Sequence, residues 1–321
     1  MNPDVADAIP RLVERGLIRA DAAQRPARAA RGELVSVRAE LQIALYCGVL
    51  LVIGGVSWLV RENLDRIGPA AIAAAIALAA AGLFFWVARR GPAFTWGEQI
   101  SPHLAFDYLL LLAVLLVGAD LAYIEWKFTP LGANWPWHLL LMSALAGALA
   151  VRYDSRTVFS LSLASFAAWR GVAVSLAAAA TTLFSRSTHV AWNALACGLL
   201  FVALGWALVR TRRKAHFEPI AVHLGWLLAL GAMATLGGVP GYRTAWALLL
   251  LGVGIGLTWM ALRQARFGLL ALGVLGAYVG LCELVVRTIS DELFTCAWFF
   301  WSALGVVVLL VVLQRRLRSA A

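Results

Sequence analysis

Charge is scarce in this chain. Only 14% of its 321 residues are Asp, Glu, Lys or Arg, while 62% are hydrophobic. A water-soluble domain of this length has no way to hide so much apolar sequence, and the composition excludes that class first. Acids are the scarcer sign, 17 against 27 Lys and Arg, leaving a formal net charge of +10. The surplus does not point to nucleic acid, because no basic face alternates with exposed aromatics. The arginines instead cluster in short segments between apolar runs. Cysteine is nearly absent. Cys47, Cys197, Cys282 and Cys296 all sit inside apolar runs, with no CxxC and no Cys/His spacing suited to zinc. They read as small buried hydrophobes, with a Cys282–Cys296 bridge as a remote alternative. There is also no HExxH, no GxSxG and no carboxylate pair at metal-ligand spacing. No catalytic residue, cofactor or metal site is therefore assigned, and the chain leans away from enzymes. A cleavable signal peptide is missing too. "MNPDVADAIPRLVERG" opens with acids and has no continuous apolar core, so the N-terminus is expected on the cytoplasmic side.

What the chain does have is a succession of apolar runs, each near the roughly 20 residues that cross a hydrocarbon core. They fall at 41–60, 69–88, 104–124, 133–151, 157–176, 189–209, 218–238, 244–262, 267–287 and 294–313. Fourteen Trp suit such a layout, since indole rings favour the headgroup boundary. The fifth run is unusual because it contains Arg170. Basic-residue bias tests it independently. If all ten runs cross from a cytoplasmic N-terminus, the inside segments hold 20 of the 27 Lys and Arg and the outside segments 6. If the fifth does not cross, every later loop inverts and the division becomes 15 against 12. The first arrangement predicts that 157–176 crosses and that both termini are cytoplasmic.

A charge at mid-membrane is costly and persists where it is paired, snorkels or lines water. In the ten-run topology Arg170 lies in the outer half of its helix. Asp120, Glu125, His138, His189, Asn193 and Glu283 fall at a similar depth on other runs. Gly276, Gly280 and Glu283 share one helical face, so Glu283 is expected to point into the bundle. These seven residues are the candidate site: either a polar cavity open to the outside, with Arg170 countered by Asp120 or Glu283, or structural pairs that hold helices in register. "GVGIG" at 252–256 has neither a preceding strand nor a following Lys-Ser/Thr and reads as helix packing, not a phosphate loop. "RENLDRIGPAA" reads as an outer turn, with Asn63 or Asp65 capping the second span and Pro69 in its first turn.

Residues 1–40 form a separate polar region with seven Arg and six acids. Val5, Ile9, Leu12 and Val13 make a narrow apolar stripe, too small to fold robustly alone. The region is expected to be cytoplasmic and helical. Arg25, Arg28, Arg31 and Arg38 either face anionic lipid headgroups or simply form a solvated face.

The start of the chain, "LVERGLIRADAA" followed by a first span ending "VIGGVSWLVRENLDRIG", resembles the domain-of-unknown-function 2157 family of bacterial integral membrane proteins. The resemblance rests on Gly16, Leu17, Ile18 and Asp21, then Gly54, Gly55, Asn63 and Asp65, with Leu64 where the pattern has Trp. It implies a multi-span inner-membrane protein and brings no activity with it.

The expectation is an all-α, polytopic transmembrane helix bundle of about ten spans in a bacterial inner membrane, with a small cytoplasmic helical region at 1–40. Its first functional reading is a transporter or permease for a small solute. Ten spans in this length resemble the layout of drug/metabolite transporters, which lack such an N-terminal region. The alternative is a non-catalytic assembly or signalling component whose N-terminal helices bind a cytoplasmic partner. Besides such a partner, the expected contacts are the lipid bilayer and the solute.

Overall fold

A computed structural model of the protein describes residues 14, 38–99, 104–172, 188–238, 241–288 and 292–320. The N-terminal region at 1–40, with its apolar stripe and four arginines, lies almost wholly outside the described residues. Described residues form α-helices, two short 3-10 turns and connecting loops, with no strand among them. The helices are Arg38–Ile67 (α1), Pro69–Arg90 (α2), Leu104–Phe128 (α3), Trp137–Tyr153 (α4), Arg156–Trp169 (α5), Thr188–Thr211 (α6), Glu218–Leu236 (α7), Arg243–Arg263 (α8), Phe267–Thr288 (α9) and Glu292–Ala320 (α10). Each coincides with one of the ten apolar runs. Among the described residues, seven helical segments are long and apolar enough to cross a membrane: Pro69–Arg90, Ala105–Phe128, Thr188–Thr211, Ala215–Leu236, Arg243–Arg263, Phe267–Thr288 and Ala297–Arg315. Helix α1 contains a shorter apolar stretch, Ile43–Leu59. Helices α4 and α5 have 17 and 14 residues, or about 25 and 21 Å at 1.5 Å per residue.

The chain divides into two compact units, Met1–Gly68 and Pro69–Ala321. In the first unit α1 runs on through Asn63 and Asp65 to Ile67, correcting the expected eight-residue turn. "RENLDRI" contains no helix breaker, so nothing stops the helix before Gly68, whose φ of 68° is left-handed. Pro69 then opens α2, the position where its missing N–H costs nothing. Neither Asn63 nor Asp65 occupies the capping position, and their side chains lie outside the described residues.

The second unit is built from neighbouring antiparallel pairs around a main apolar core and a smaller second cluster. Val87, Phe106, Leu110, Val114, Ala146, Val158, Phe217 and Leu250 are buried in the main core. Close backbone approach holds two of the pairs. A Cβ built on Gly198 of α6 would lie 2.6 Å from the Gly225 carbonyl oxygen of α7, and one on Gly225 would lie 2.7 Å from that of Gly198. On α8, a Cβ at Gly254 would lie 2.3 Å from the Ala277 nitrogen of α9. Only glycine permits such contact, and small residues are what bring helices together where lipid removes the hydrophobic drive. Of the three glycines in "GVGIG", Gly254 alone packs this way. Gly252 and Gly256 have nothing within 4 Å. The expected face on α9 does meet neighbours: Gly280 abuts Leu251 and Gly276 abuts Leu230. A second cluster, including Val222, Leu269 and Leu270, receives Val306, Leu310 and Leu313 of α10.

Outside this core, many large apolar side chains are bare. Leu78, Trp206, Trp259 and Trp301 are each more than half exposed. A surface of that kind is stable against hydrocarbon, not against water.

Candidate functional site

Polar side chains collect at the two ends of the second unit. At the basic end, the loops α2–α3, α4–α5 and α6–α7 converge. Asp154 sits between α4 and α5 at φ 62° and Lys214 after α6 at φ 49°, both left-handed. Lys214 Nζ lies 3.0 Å from Asp154 Oδ1, and His216 Nε2 lies 2.5 Å from the same oxygen. The side chains of Lys214 and Asp154 are 1% and 2% exposed. Asp154 also accepts the backbone N–H of Gln99, and the Lys214 N–H donates to the Trp96 carbonyl at 2.9 Å. Arg152 donates to the Pro92 carbonyl at 2.9 Å, and Arg156 pairs with Glu98 at 2.5 Å. Arg266, between α8 and α9, pairs with Glu218 at the start of α7 and so brings the fourth basic loop to the same end. Arginines one turn beyond an aromatic mark this level on three helices. Arg90 lies over Trp86 at 5.6 Å, Arg210 over Trp206 at 5.5 Å and Arg263 over Trp259 at 3.7 Å. These are cation–π stacks of a snorkelling geometry.

The buried Asp154–Lys214–His216 group was not singled out from sequence. Asp154 lies 60 residues before Lys214, and no local pattern joins it to Lys214 and His216. The available hint was composition: Lys214 is one of only two lysines in the chain.

At the opposite end the seven candidates separate into smaller sets. Glu125, near the end of α3, approaches His138 Nε2 at 3.0 Å. It also accepts the N–H groups of Leu131 and Gly132, at 3.2 and 2.8 Å. The carboxylate thereby organises the loop between α3 and α4. Together with Trp126, Trp135, Met142 and Ser165, this pair borders a mainly apolar cleft of about 460 Å³.

Arg170 was expected inside a span, either countered by Asp120 or Glu283 in a cavity or in a structural pair between helices. It is instead the C-cap of α5, and Gly171 at φ 75° turns the chain away. Arg170 is exposed, its Nη2 donates to Asn193 Oδ1 at 2.9 Å, and Asn193 Nδ2 returns a bond to the Arg170 carbonyl at 2.9 Å. A neutral amide on α6 is thus the partner, because the helix ends where that amide can take both an orphan carbonyl and the guanidinium. Asp120 stands apart, with one buried carboxylate oxygen that has no hydrogen-bond partner among the described residues. His189 is exposed at the start of α6.

Glu283 accepts from Arg287 Nη2 at 2.5 Å, one turn along α9. The same Nη2 donates to the Gly237 carbonyl at 3.0 Å, and Arg243 Nε donates to the Gly238 carbonyl at 3.2 Å. These groups line a groove of about 520 Å³ among α7, α8, α9 and α10, with Val279, Val286 and Phe299 as its apolar wall. Cys282 also borders it and is a free thiol, which removes the Cys282–Cys296 bridge. Among the described residues, no group of three or more His, Cys, Asp or Glu is placed to hold a metal ion.

Several long apolar helices, a lipid-type surface and a one-sided basic end define a multi-pass α-helical membrane protein. Residues 10–159 match the family model described as "Predicted membrane protein (DUF2157)". The match reaches well past the first 90 residues that carry the visible resemblance, into α5. No curated protein and no solved structure matches the chain.

Proposed function

We propose that the protein is a ten-pass permease-like carrier of a bacterial inner membrane, with both termini cytoplasmic and a small solute held in the groove at Glu283. The reading is supported on the topological side by the course of α5. It leaves the basic end at Ser155 and finishes at Arg170, bound to Asn193. Asn193 stands 18 residues from Thr211 at the basic end of α6, about 27 Å along the helix. A short α5 therefore covers most of the layer, and the basic loops on either side of it share one end, as a cytoplasmic face would require.

The observation that carries the functional side is the contrast between the ends. The basic end is sealed by the Asp154–Lys214–His216 group, whereas the other end holds a groove of about 520 Å³ with two guanidinium groups and a carboxylate. A carrier facing outward has that form: one side closed, a polar site open on the other.

Flux measurement tests the reading. Purified protein in proteoliposomes is screened against small amino acids, carboxylates and amines, and any solute that moves is retested with Arg287→Gln. Movement abolished in a variant that still elutes and melts as a folded protein supports the carrier. Absence of flux across all three classes overturns it. Loss of cellular function on deleting residues 1–38, with groove variants fully active, favours the alternative of an assembly component.

A further inference from the structure

We infer that the groove at Glu283 selects a zwitterion carrying an apolar side group, the chemistry of a neutral apolar amino acid. The inference rests on the carrier reading for its meaning but on the groove's own atoms for its argument. Arg287 commits one nitrogen, Nη2, to both Gly237 and Glu283. Arg243 commits Nε to Gly238. Among the described residues, the Nη nitrogens of Arg243 and Nη1 of Arg287 are left without a protein acceptor. Glu283 bonds through Oε2, and its Oε1 is likewise free. The groove thus offers unused cationic donors and one unused anionic acceptor.

The two guanidinium groups are anchored to consecutive carbonyls, Gly237 and Gly238, at the end of α7. Both line the one groove, where fork-shaped donors suit a carboxylate or phosphate. Glu283 stands one turn from Arg287 on α9 and adds an acceptor for an ammonium. A purely anionic solute would meet the carboxylate, and a purely cationic one would meet two guanidinium groups. A zwitterion satisfies both. Val279, Val286 and Phe299 form the apolar part of the remaining wall, beside Tyr278 and Cys282, and against them a polar side group would lose its water without replacement. A phosphatidylethanolamine headgroup presents the same paired charges, so the lipid is the competing source of this chemistry.

Binding is measured on the full chain in nanodiscs with L-leucine, isocaproate and isoamylamine, which share one apolar group and differ in their charges. The discs are made with and without phosphatidylethanolamine. Leucine is expected to bind at least about tenfold more tightly than either single-charge analogue, since each lacks one charge-assisted hydrogen-bonding end. Glu283→Gln should remove the preference for leucine over isocaproate, and Arg243→Gln should remove that for leucine over isoamylamine. Arg243 bonds only a loop carbonyl, so its variant keeps the test open if the α9 variants fold poorly. Equal binding of all three compounds, or selectivity unmoved by both variants, overturns the inference. So does leucine binding seen only without phosphatidylethanolamine, which assigns the groove to the lipid. Flux of some other solute with no effect of groove variants on binding would leave the carrier standing and defeat this assignment alone.

Discussion

Substituting alanine in turn at the three glycines of "GVGIG" subjects one short helical stretch to three different environments. A methyl group on Gly254 would stand 2.3 Å from the Ala277 nitrogen, 2.8 Å from the Ala277 Cα and 2.8 Å from the Gly273 oxygen. All three are backbone atoms of the neighbouring helix, and none can rotate aside. The helices must separate by about an ångström or more, along an interface where Gly273 and Gly280 make the same kind of approach. Overpacking of a well-filled interior costs about 1–3 kcal/mol, and contact with rigid backbone belongs at the top of that range. Gly252→Ala and Gly256→Ala meet nothing within 4 Å. Removing glycine from a helix gains up to about 1 kcal/mol there. Gly254→Ala should therefore lie about 3 kcal/mol or more below its two neighbours in stability. Equilibrium unfolding in mixed detergent micelles, followed by circular dichroism, measures the difference. Three alanine variants of equal stability would refute the reasoning, because the α8–α9 contact would then not depend on a missing side chain.

Other expectations follow from the polar groups. Asp154→Ala strands the buried Lys214 ammonium and should cost about 3–5 kcal/mol in the same unfolding assay, while adding Lys214→Met should recover most of it. Arg170→Ala removes one hydrogen bond and Asn193→Ala two, so the second variant should lose about twice the roughly 1 kcal/mol of the first; equal losses would contradict the reciprocal geometry. Single cysteines placed at Glu98, Arg213 and Gln264 should all react with a membrane-impermeant maleimide from the same side of the membrane. Labelling of Arg213→Cys from the side opposite Glu98→Cys would break the topology.

The helices were legible because a bilayer reads little more than length and apolarity, and all ten runs supply some of both. Their ends were less so. The polar letters of "RENLDRIG" suggest a loop, yet Glu62, Leu64 and Arg66 are sound helix formers, and the break waits for Gly68. Helix α5 stops at Trp169 because Asn193, 23 residues beyond Arg170, offers bonds to Arg170 that a further turn would forfeit. Glu125 and His138 were close enough in sequence for a short loop to join them. Depth grouped Arg170 with Glu283, but depth says nothing about azimuth around the bundle. The Asp154 group depends on loops folding over one another, which no periodicity encodes.

The brevity of α4 and α5 has a consequence for the lipids around them. Helix α8 has 21 residues, about 31 Å, and matches an ordinary hydrocarbon core, whereas α5 has 14, about 21 Å. If α4 and α5 cross as the ten-pass reading proposes, acyl chains next to them must shorten or splay to follow the hairpin, at a cost of fractions of a kcal/mol per ångström of mismatch. The protein should therefore carry a pinched annulus on one flank, and its stability should rise in bilayers made from shorter-chain phospholipids.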